Sequence, residues 1–290
     1  MDDITLFYGI MRVKVAIIVI GHNSWHYLQK NFASLEFLMN DPSVEIIYVD
    51  NASVDESRAA ISYSYPSVKI ITCANNQGVA AARNMGIVNS LSEYLLFLDS
   101  DTEMNEEAFR AMVDYMDNHE DVGVCGCKLI GQDGLPQASC KHFPTRIGIT
   151  KSGMHNIMVR YGYNIFADSY SKTLYPVEQT EGSEPIEVDF VIGACQLIRR
   201  KAQVKVGFLD DRIFYGPEDA DFCRRLSTVG YKTVYLPYVS IQHAYQRPIA
   251  QKFFSLQTIR QIKGYSFYFR KAVKERMRGG KIDVITKKHV

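Results

Sequence analysis

The sequence has no apolar run of about 18 residues, no glycine-rich phosphate-binding loop and no Cys-x-x-Cys pair. The first absence argues against a membrane-spanning helix, and the acidic start Met1-Asp2-Asp3 lacks the positive charge of a secretory signal. Without Gly-x-Gly-x-x-Gly or Gly-x-x-x-x-Gly-Lys-Ser/Thr, nicotinamide-dependent dehydrogenases and P-loop proteins are disfavoured. The six cysteines predict no zinc framework, and several lie in apolar runs, so we expect a reducing, cytosolic setting.

A near-neutral total charge hides two regions of opposite sign. The chain of 290 residues has a net charge of +1, but residues 247–290 hold twelve Lys or Arg against two Asp or Glu. That tail is near +10, and residues 1–246 are near −9. Because an acidic surface repels a phosphate backbone, we do not expect nucleic acid as a partner. We predict a main domain over 1–246 and a basic, aromatic helical tail over 247–290.

The tail has two interpretations. Aromatic residues are interleaved with Lys and Arg over the predicted helix, and they are Phe253, Phe254, Tyr265, Phe267, Tyr268 and Phe269. A basic amphipathic helix can lie on an anionic membrane surface, which allows peripheral membrane contact. The interpretation that we favour is that the aromatic side chains pack on the main domain while the charges face solvent.

Short apolar runs alternate with amphipathic stretches over the first 130 residues. The apolar runs predict strands over 13–20, 44–49, 68–72, 94–98 and 122–130. Strands that alternate with helices indicate an α/β protein with a mostly parallel, Rossmann-like sheet and helices on both faces. Residues 131–187 show no sustained period, which favours loops and short elements, such as a mobile lid over a site.

Asp99-Ser100-Asp101 follows five consecutive apolar residues, Tyr94-Leu95-Leu96-Phe97-Leu98. Such a run predicts a buried strand, and ligands of α/β sheets bind at the carboxyl ends of the strands. Divalent cations such as Mg²⁺ bind carboxylates together with substrate phosphates. The motif therefore indicates a site for a metal and a diphosphate, although Asp and Ser are also ordinary turn residues.

Polar residues follow other predicted strands or begin the helix after them. They are Asn23, Asp50, Asn51, Asn76, Gly78 and Arg83. Because parallel strands end at one edge of the sheet, these residues are expected to share a cleft with the Asp-x-Asp motif. A carboxylate for a base, an arginine for phosphate or ribose and a metal-binding pair would together hold a nucleotide diphosphate. Each residue taken alone could instead cap a helix or form a turn.

Two further candidates lie in the second half of the sequence. Glu218-Asp219-Ala220-Asp221 places three carboxylates within four residues at a predicted helix start. One of them could act as a general base towards an attacking hydroxyl, and the alternative is N-terminal helix capping. His243 follows a strand-like run and could be a third metal ligand, although a lone histidine is usually structural.

The order and spacing of these motifs resemble the family 2 glycosyltransferases with the GT-A fold. The matching segments are Ile18–Asn23, Val49–Asp55, Asn75–Gly78 with Arg83–Gly86, Asp99–Asp101 and Pro217–Asp219. Gly207-Phe208-Leu209-Asp210, Phe222-Cys223-Arg224-Arg225 and Gly230-Tyr231 are similar to the rhamnosyltransferase-like branch of that family. The resemblance covers roughly residues 13–245. His22 departs from the pattern, because the family often has an aromatic residue there.

The resemblance implies roles for individual residues. Asp50 would contact the nucleotide base, Asp99 the ribose and metal, and Asp101 the metal, which would be Mn²⁺ or Mg²⁺. His243 would also bind the metal, and Asp219, beside Glu218, would be the catalytic base. The other predicted donor-binding residues are Asn23, Asn51, Asn76, Gly78, Arg83 and Ser100.

The expected function is that of a metal-dependent, inverting glycosyltransferase. It would move a sugar from a nucleoside diphosphate sugar to a hydroxyl of a glycan or lipid-linked acceptor in bacterial cell-surface polysaccharide synthesis. Residues 13–130 would form the nucleotide-binding half and residues 131–246 the acceptor-binding half. We expect a cytoplasmic location, including the inner face of the membrane. The alternatives are a sugar-nucleotide nucleotidyltransferase and a catalytically silent nucleotide- or glycan-binding module.

Overall fold

The computed structural model describes residues 13–149, 182–244, 256–279, 281–282 and 284–286. Its main sheet has nine strands, six of which run in one direction. In sheet order these six are β3 (Lys69–Thr72), β2 (Val44–Asp50), β1 (Val15–Gly21), β4 (Tyr94–Asp99), β6 (Val122–Ile130) and β11 (Lys232–His243). Strand β10 (Cys195–Arg199) lies between β4 and β6 and is antiparallel to both.

Two short strands pair with β11, and two others form a separate ribbon. Strands β5 (Thr102–Glu103) and β8 (Ile186–Val188) are antiparallel to β11. Strands β7 (Cys140–Lys141) and β9 (Phe190–Val191) pair with each other. The sheet is therefore mixed but mostly parallel in direction, as the strand–helix alternation predicts.

Helices cover both faces of the sheet. Helices α1 (Trp25–Ala33), α2 (Ser57–Ser64) and α4 (Glu106–Asn118) pack on one face. Helices α3 (Val79–Val88), α5 (Arg200–Val206), α6 (Glu218–Thr228) and α7 (Leu256–Met277) contribute to the core on the other face.

The two cores follow from the alternation of side chains along each strand. In β4, Leu96 and Leu98 face the first core, and Leu95 and Phe97 face the second. All four side chains are nearly inaccessible to solvent, as expected of a central strand covered on both faces. The fully apolar run before Asp99 is thus the consequence of burial on two sides.

The second half of the sheet contains one long strand where the apolar pattern of the sequence predicts two short strands, over 232–236 and 239–243. These residues form the single strand β11, whose pairing with β6 is irregular between Leu236 and Ser240. The proposed lid falls largely on residues 150–181, and the boundary at 246/247 and Phe253 and Phe254 also lie outside the described residues.

Helix α7 packs against the main domain through aromatic and charged contacts. Tyr268 is 2% exposed and belongs to the second core. Lys271 Nζ lies 2.9 Å from Asp210 Oδ2 and 2.7 Å from Asp221 Oδ2. Tyr268 therefore packs on the rest of the protein, as the favoured interpretation has it, whereas Lys271 is 6% exposed and does not face solvent as that interpretation expects. Within the described parts of the chain, no helix is both long and apolar enough to cross a membrane.

Candidate active site

The Asp-x-Asp motif and His243 come together at the carboxyl edge of the sheet. Asp99 ends β4, half-buried Ser100 lies in the turn that follows, and His243 ends β11. Strand β5 pairs Thr102 with His243, which brings the turn beside the histidine. His243 Nε2 lies 3.4 Å from Asp101 Oδ1, and one ligand atom from each of Asp99, Asp101 and His243 lies within 4.8 Å of the others.

The buried side-chain amide of Asn31 stabilises the turn between the two aspartates, and the sequence analysis does not predict this role. Asn31, on α1, donates through Nδ2 to the backbone oxygens of Asp99 at 3.2 Å and Thr102 at 2.8 Å. The Thr102 hydroxyl also donates to the Asp99 carbonyl at 2.8 Å. These bonds satisfy buried carbonyls and fix the backbone from which both carboxylates project.

Arg83 joins the Asp-x-Asp motif to the Glu-Asp motif. Its side chain is 2% exposed, and Nη2 donates to Asp99 Oδ1 and to the Gly193 carbonyl, both at 2.7 Å. Nη1 lies 3.4 Å from Glu218 Oε1. The guanidinium is thus bound by protein oxygens on two sides. The predicted contact of Arg83 with phosphate or ribose stays a prediction.

Gly193 is a second residue that the sequence did not single out. Its carbonyl accepts from Arg83, and its N–H donates to Asp219 Oδ2 at 3.1 Å. A Cβ at this position would collide with the guanidinium of Arg83. A side chain at this position of the β9–β10 connection would therefore force the guanidinium to shift, and Gly193 also links Arg83 to Asp219. One network consequently joins Asp99 and Asp219, which are far apart in sequence.

Glu218 and Asp219 are buried at the start of α6, with exposures of 5% and 9%. Burial raises the pKa of Glu218 to about 8, and the nearby Asp219 carboxylate adds to the rise. Burial also raises the pKa of Asp219, whose carboxylate accepts from the N–H groups of Gly193 and Ala220. A carboxylate with a raised pKa is a stronger base, so the pair has the properties that proton transfer near neutral pH requires.

The predicted donor-binding residues at the other strand ends form a second hydrogen-bond network. Asn51 Nδ2 donates to Asn76 Oδ1 and to the Gly78 carbonyl, each at 3.2 Å. Asn76 Oδ1 accepts from the Gly78 N–H at 3.0 Å. Gly78 has a φ of +88°, and a Cβ there would collide with the backbone of Phe214. The network thus brings the turn before α3 against the segment that leads into Glu218.

Asp50 and Asn23 stabilise neighbouring turns. Asp50 is 1% exposed, and its Oδ1 accepts from the Ser53 N–H at 2.9 Å. Asn23 has a φ of +53°, and its Oδ1 accepts from the Val54 N–H at 2.8 Å. His22 Nδ1 lies 2.9 Å from the Asn51 carbonyl. The turn interpretation therefore accounts for these contacts, and donor binding by Asp50 and Asn23 stays a prediction.

The Asp99–Asp101–His243 cluster has the chemistry of a divalent metal site. Two carboxylates and an imidazole are ligands that Mn²⁺ accepts, and oxygen ligands suit Mg²⁺. The cluster lies at the strand ends, with His243 3% exposed and the two aspartates partly accessible. These three side chains therefore fit a cation that the protein binds on one side and that a further ligand binds on the other.

The acidic cluster thus lies at the carboxyl edge of a mixed, mostly parallel sheet that helices cover on both faces. Residues 16–207 match the sequence model of the family described as glycosyl transferase family 2. Because the match spans more than half of the chain, the protein belongs to glycosyltransferase family 2.

Two curated relatives are rhamnosyltransferases. The N-acetylglucosaminyl-diphospho-decaprenol L-rhamnosyltransferase of Mycobacterium tuberculosis is 25% identical over 244 residues, which cover 80% of this chain and 76% of the relative. The dTDP-rhamnosyl transferase RfbF of Shigella flexneri is 23% identical over 218 residues, which cover 74% of this chain and 64% of that protein. The chain is therefore rhamnosyltransferase-like, as its motifs predict.

Solved structures confirm the fold. GalNAc-T7, crystallised with UDP, GalNAc and Mn²⁺, has a TM-score of 0.63 and 16% identity over 92% of this chain and 50% of its own. A mannosyltransferase from Pyrobaculum calidifontis, in complex with GDP-Man and Mn²⁺, has a TM-score of 0.58 and 16% identity. That match covers 91% of this chain and 65% of the mannosyltransferase. At this identity the likeness extends to the fold alone.

Proposed function

We propose that the protein transfers a sugar from a nucleoside diphosphate sugar to an acceptor hydroxyl with inversion of the anomeric centre. The observation that carries this proposal is the network that joins Asp99 to Asp219 through Arg83 and Gly193. The network supports the proposal because it links a cluster that would suit a metal-bound diphosphate to a carboxylate that would suit proton abstraction. A single displacement needs both groups around one reacting carbon.

The donor diphosphate would bind at the carboxyl edge of the sheet. Asp99, Asp101 and His243 would hold a divalent cation, which neutralises the charge that develops on a departing diphosphate. Asp50, Asn51 and Asn76, with Asn23, Gly78 and Ser100, would line the nucleotide side of the same edge. Arg83 is assigned a positioning role, because its guanidinium orients Asp99 and neutralises part of the acidic charge.

Asp219 is the proposed catalytic base. Two backbone N–H groups orient its carboxylate, and its burial strengthens it as a base. The carboxylate would take the proton from the acceptor hydroxyl as the oxygen attacks the anomeric carbon on the face opposite the diphosphate. Glu218, with a pKa of about 8, would retain its proton at neutral pH and so reduce the charge beside Asp219.

The two curated relatives suggest the donor and the acceptor. Their names specify rhamnosyl transfer, in one case from a dTDP donor and in the other to a polyprenyl diphosphate-linked sugar. We propose by analogy a deoxythymidine diphosphate sugar as the donor and a lipid-linked glycan as the acceptor, in bacterial polysaccharide synthesis. Such an acceptor lies at a membrane surface.

The outer face of α7 supports peripheral membrane contact. Exposed cations on this helix are Arg260, Lys263, Arg270, Lys274 and Arg276, and exposed apolar residues are Leu256, Ile259, Ile262, Val273 and Met277. The single acidic residue of α7, Glu275, is 2% exposed and lies 2.6 Å from Arg224. The face is therefore cationic and apolar, which complements anionic lipid headgroups.

The donor proposal is tested by a transfer and hydrolysis screen. Purified protein is incubated with a panel of UDP-, GDP- and dTDP-sugars and Mg²⁺ or Mn²⁺, and release of the nucleoside diphosphate is measured. We expect turnover with a dTDP-sugar and loss of turnover in EDTA. Calorimetry with the nucleoside diphosphate and Mn²⁺ should show weaker binding to Asp101→Ala than to the unmodified protein. Unchanged affinity would contradict the metal assignment.

The membrane proposal is tested by liposome sedimentation. A triple variant, Lys263→Glu, Lys274→Glu and Arg276→Glu, should lose binding to vesicles that contain anionic lipid. The control carries the same charge change on other exposed positions, Lys30→Glu, Arg58→Glu and Lys201→Glu. Equal binding of the two variants would show that total charge, and not the α7 face, determines adsorption.

A further inference from the structure

We infer that Gln137 is a positioning residue that keeps the ring hydrogen of His243 on Nδ1, so that the lone pair of Nε2 faces the two aspartates. The inference rests on the proposed function, because it concerns the same Asp99–Asp101–His243 cluster. Gln137 lies outside every motif of the sequence analysis.

A tight chain reversal after β6 brings Gln137 to the histidine. Pro136 pairs with Ile130 across the reversal, and the Gln137 N–H donates to the Leu129 carbonyl at 2.8 Å. Strand β6 lies beside β11, whose last residue is His243. The backbone of Gln137 is thus anchored on one strand while its side chain reaches the end of the next.

The side-chain amide of Gln137 makes two contacts with His243. Nε2 donates to the His243 carbonyl oxygen at 3.0 Å, and Oε1 lies 2.6 Å from the imidazole Nδ1. A carbonyl oxygen only accepts, so the amide NH₂ must lie on the carbonyl side and Oε1 on the ring side. The reversed amide would place two oxygens against each other. Nδ1 therefore carries the hydrogen and donates to Oε1.

This bond determines the chemistry of the other ring nitrogen. In a neutral imidazole with the hydrogen on Nδ1, the lone pair is on Nε2. Nε2 is the atom that lies 3.4 Å from Asp101 Oδ1. A lone pair and a carboxylate oxygen repel each other, whereas both are donors to a divalent cation. Gln137 thus presents His243 in its metal-binding form and fixes the ring plane.

The first test observes the tautomer directly. In the metal-free protein with ¹⁵N-labelled histidine, long-range ¹H–¹⁵N spectra distinguish the two tautomers at a pH where the imidazole is neutral. The chain has seven histidines, and the His243 signals are assigned by their loss in His243→Gln. We expect hydrogen on Nδ1 in the unmodified protein and a mixed population in Gln137→Leu. Hydrogen on Nε2 in the unmodified protein would overturn the inference, whether or not the variant folds.

The second test measures Mn²⁺ affinity by electron paramagnetic resonance, without substrate. Loss of an outer partner of a metal-binding histidine typically costs about 10–100-fold in affinity, and we expect this loss in Gln137→Leu. Ser139→Ala is the control, because Ser139 is buried in the same segment and its hydroxyl donates to the Cys127 carbonyl.

The outcomes separate the two proposals. Wild-type affinity in Gln137→Leu would overturn the role of Gln137 and leave the metal site intact. If Asp101→Asn also binds Mn²⁺ as tightly as the unmodified protein does, the metal site itself fails. In that case the spectra still decide whether Gln137 sets the tautomer.

Discussion

Helix α6 carries buried carboxylates whose pKa values shift in opposite directions. Glu218 and Asp219 face the candidate site, and burial raises the pKa of both groups. Asp221, two residues further on, is 0% exposed. Burial alone would raise its pKa as well, but Arg225 and Lys271 hold the pKa of Asp221 below its ordinary value. The sign of the shift therefore depends on neighbouring cations and not on burial.

The difference lies in how many cations contact each carboxylate. Asp221 has Lys271 Nζ at 2.7 Å, Arg225 Nε at 2.9 Å and Arg224 Nη2 at 3.0 Å. Glu218 has Arg83 at 3.4 Å, and Arg83 is shared with Asp99. A carboxylate that contacts three cations, as Asp221 does, stays ionised and acts as a structural group. A carboxylate that shares a single cation, as Glu218 does, can exchange a proton. The first arrangement attaches α7, and the second is suited to catalysis.

The largest effect is expected from Asp219→Asn. The amide can keep a polar contact but cannot accept the proton of the acceptor, and general-base catalysis contributes about 10²–10⁴-fold in rate. We expect the turnover number to fall by that factor while donor affinity, measured by calorimetry, stays the same. Asp114→Asn, an exposed change of the same kind, is the control. Full turnover in Asp219→Asn would remove the catalytic half of the comparison.

Lys271→Met tests the structural half. It removes the cation that Asp210 and Asp221 share, whereas Arg212, Arg224 and Arg225 remain in contact with these carboxylates. Complete loss of the partner of a buried charge costs about 3–5 kcal/mol, so we expect a loss at the lower end of that range. Urea unfolding should show this loss, whereas Lys274→Met, on the exposed side of α7, should change the free energy of unfolding by less than about 0.5 kcal/mol. Equal stability of the two variants would show that the network does not attach α7.

Gly193→Ala tests the link between the two motifs. The added methyl group must displace the guanidinium of Arg83 and with it the orientation of Asp99. A misplacement of about 1 Å in a catalytic site can cost on the order of 10²-fold in rate, and we expect a loss of that order in kcat/KM. Gly182→Ala, where a Cβ meets no atom, is the matched control. If Gly193→Ala retains full kcat/KM, Arg83 does not position the site.

The fold was predictable because its signal is local. Each central strand is covered on both faces and therefore appears as a continuous apolar run, as Tyr94 to Leu98 does. The direction of β10 was not predictable, because an apolar run has the same composition whether it is parallel or antiparallel to its neighbours. The single strand β11 was likewise hidden by Pro237, which interrupts its apolar pattern.

The candidate site likewise contains residues that the sequence predicts and residues that it does not. Asp99, Asp101, Glu218, Asp219 and His243 are chemically reactive residues at element ends, which the sequence makes visible. Asn31, Gln137 and Gly193 act through partners up to 110 residues away, and each looks ordinary in its own segment. Their roles come from tertiary contacts, so a single sequence has no local pattern that could show them.

A further expected effect concerns the pH dependence of stability at Glu218. Its pKa is raised from 4.5 in the unfolded chain to about 8 in the folded protein, so folding disfavours the ionised form. The stabilising contribution is complete below pH 4.5 and is lost progressively as pH rises to about 8. Glu218→Gln lacks this titration. Its stability relative to the unmodified protein should therefore rise with pH across that window, by at most about 1.4 kcal/mol per pH unit.

Asp221→Asn provides the opposite case, because a lowered pKa stabilises the ionised form and its contribution is lost only towards acid pH. Parallel pH profiles of the two variants in urea unfolding would contradict the division of α6 into a titrating and a permanently charged set.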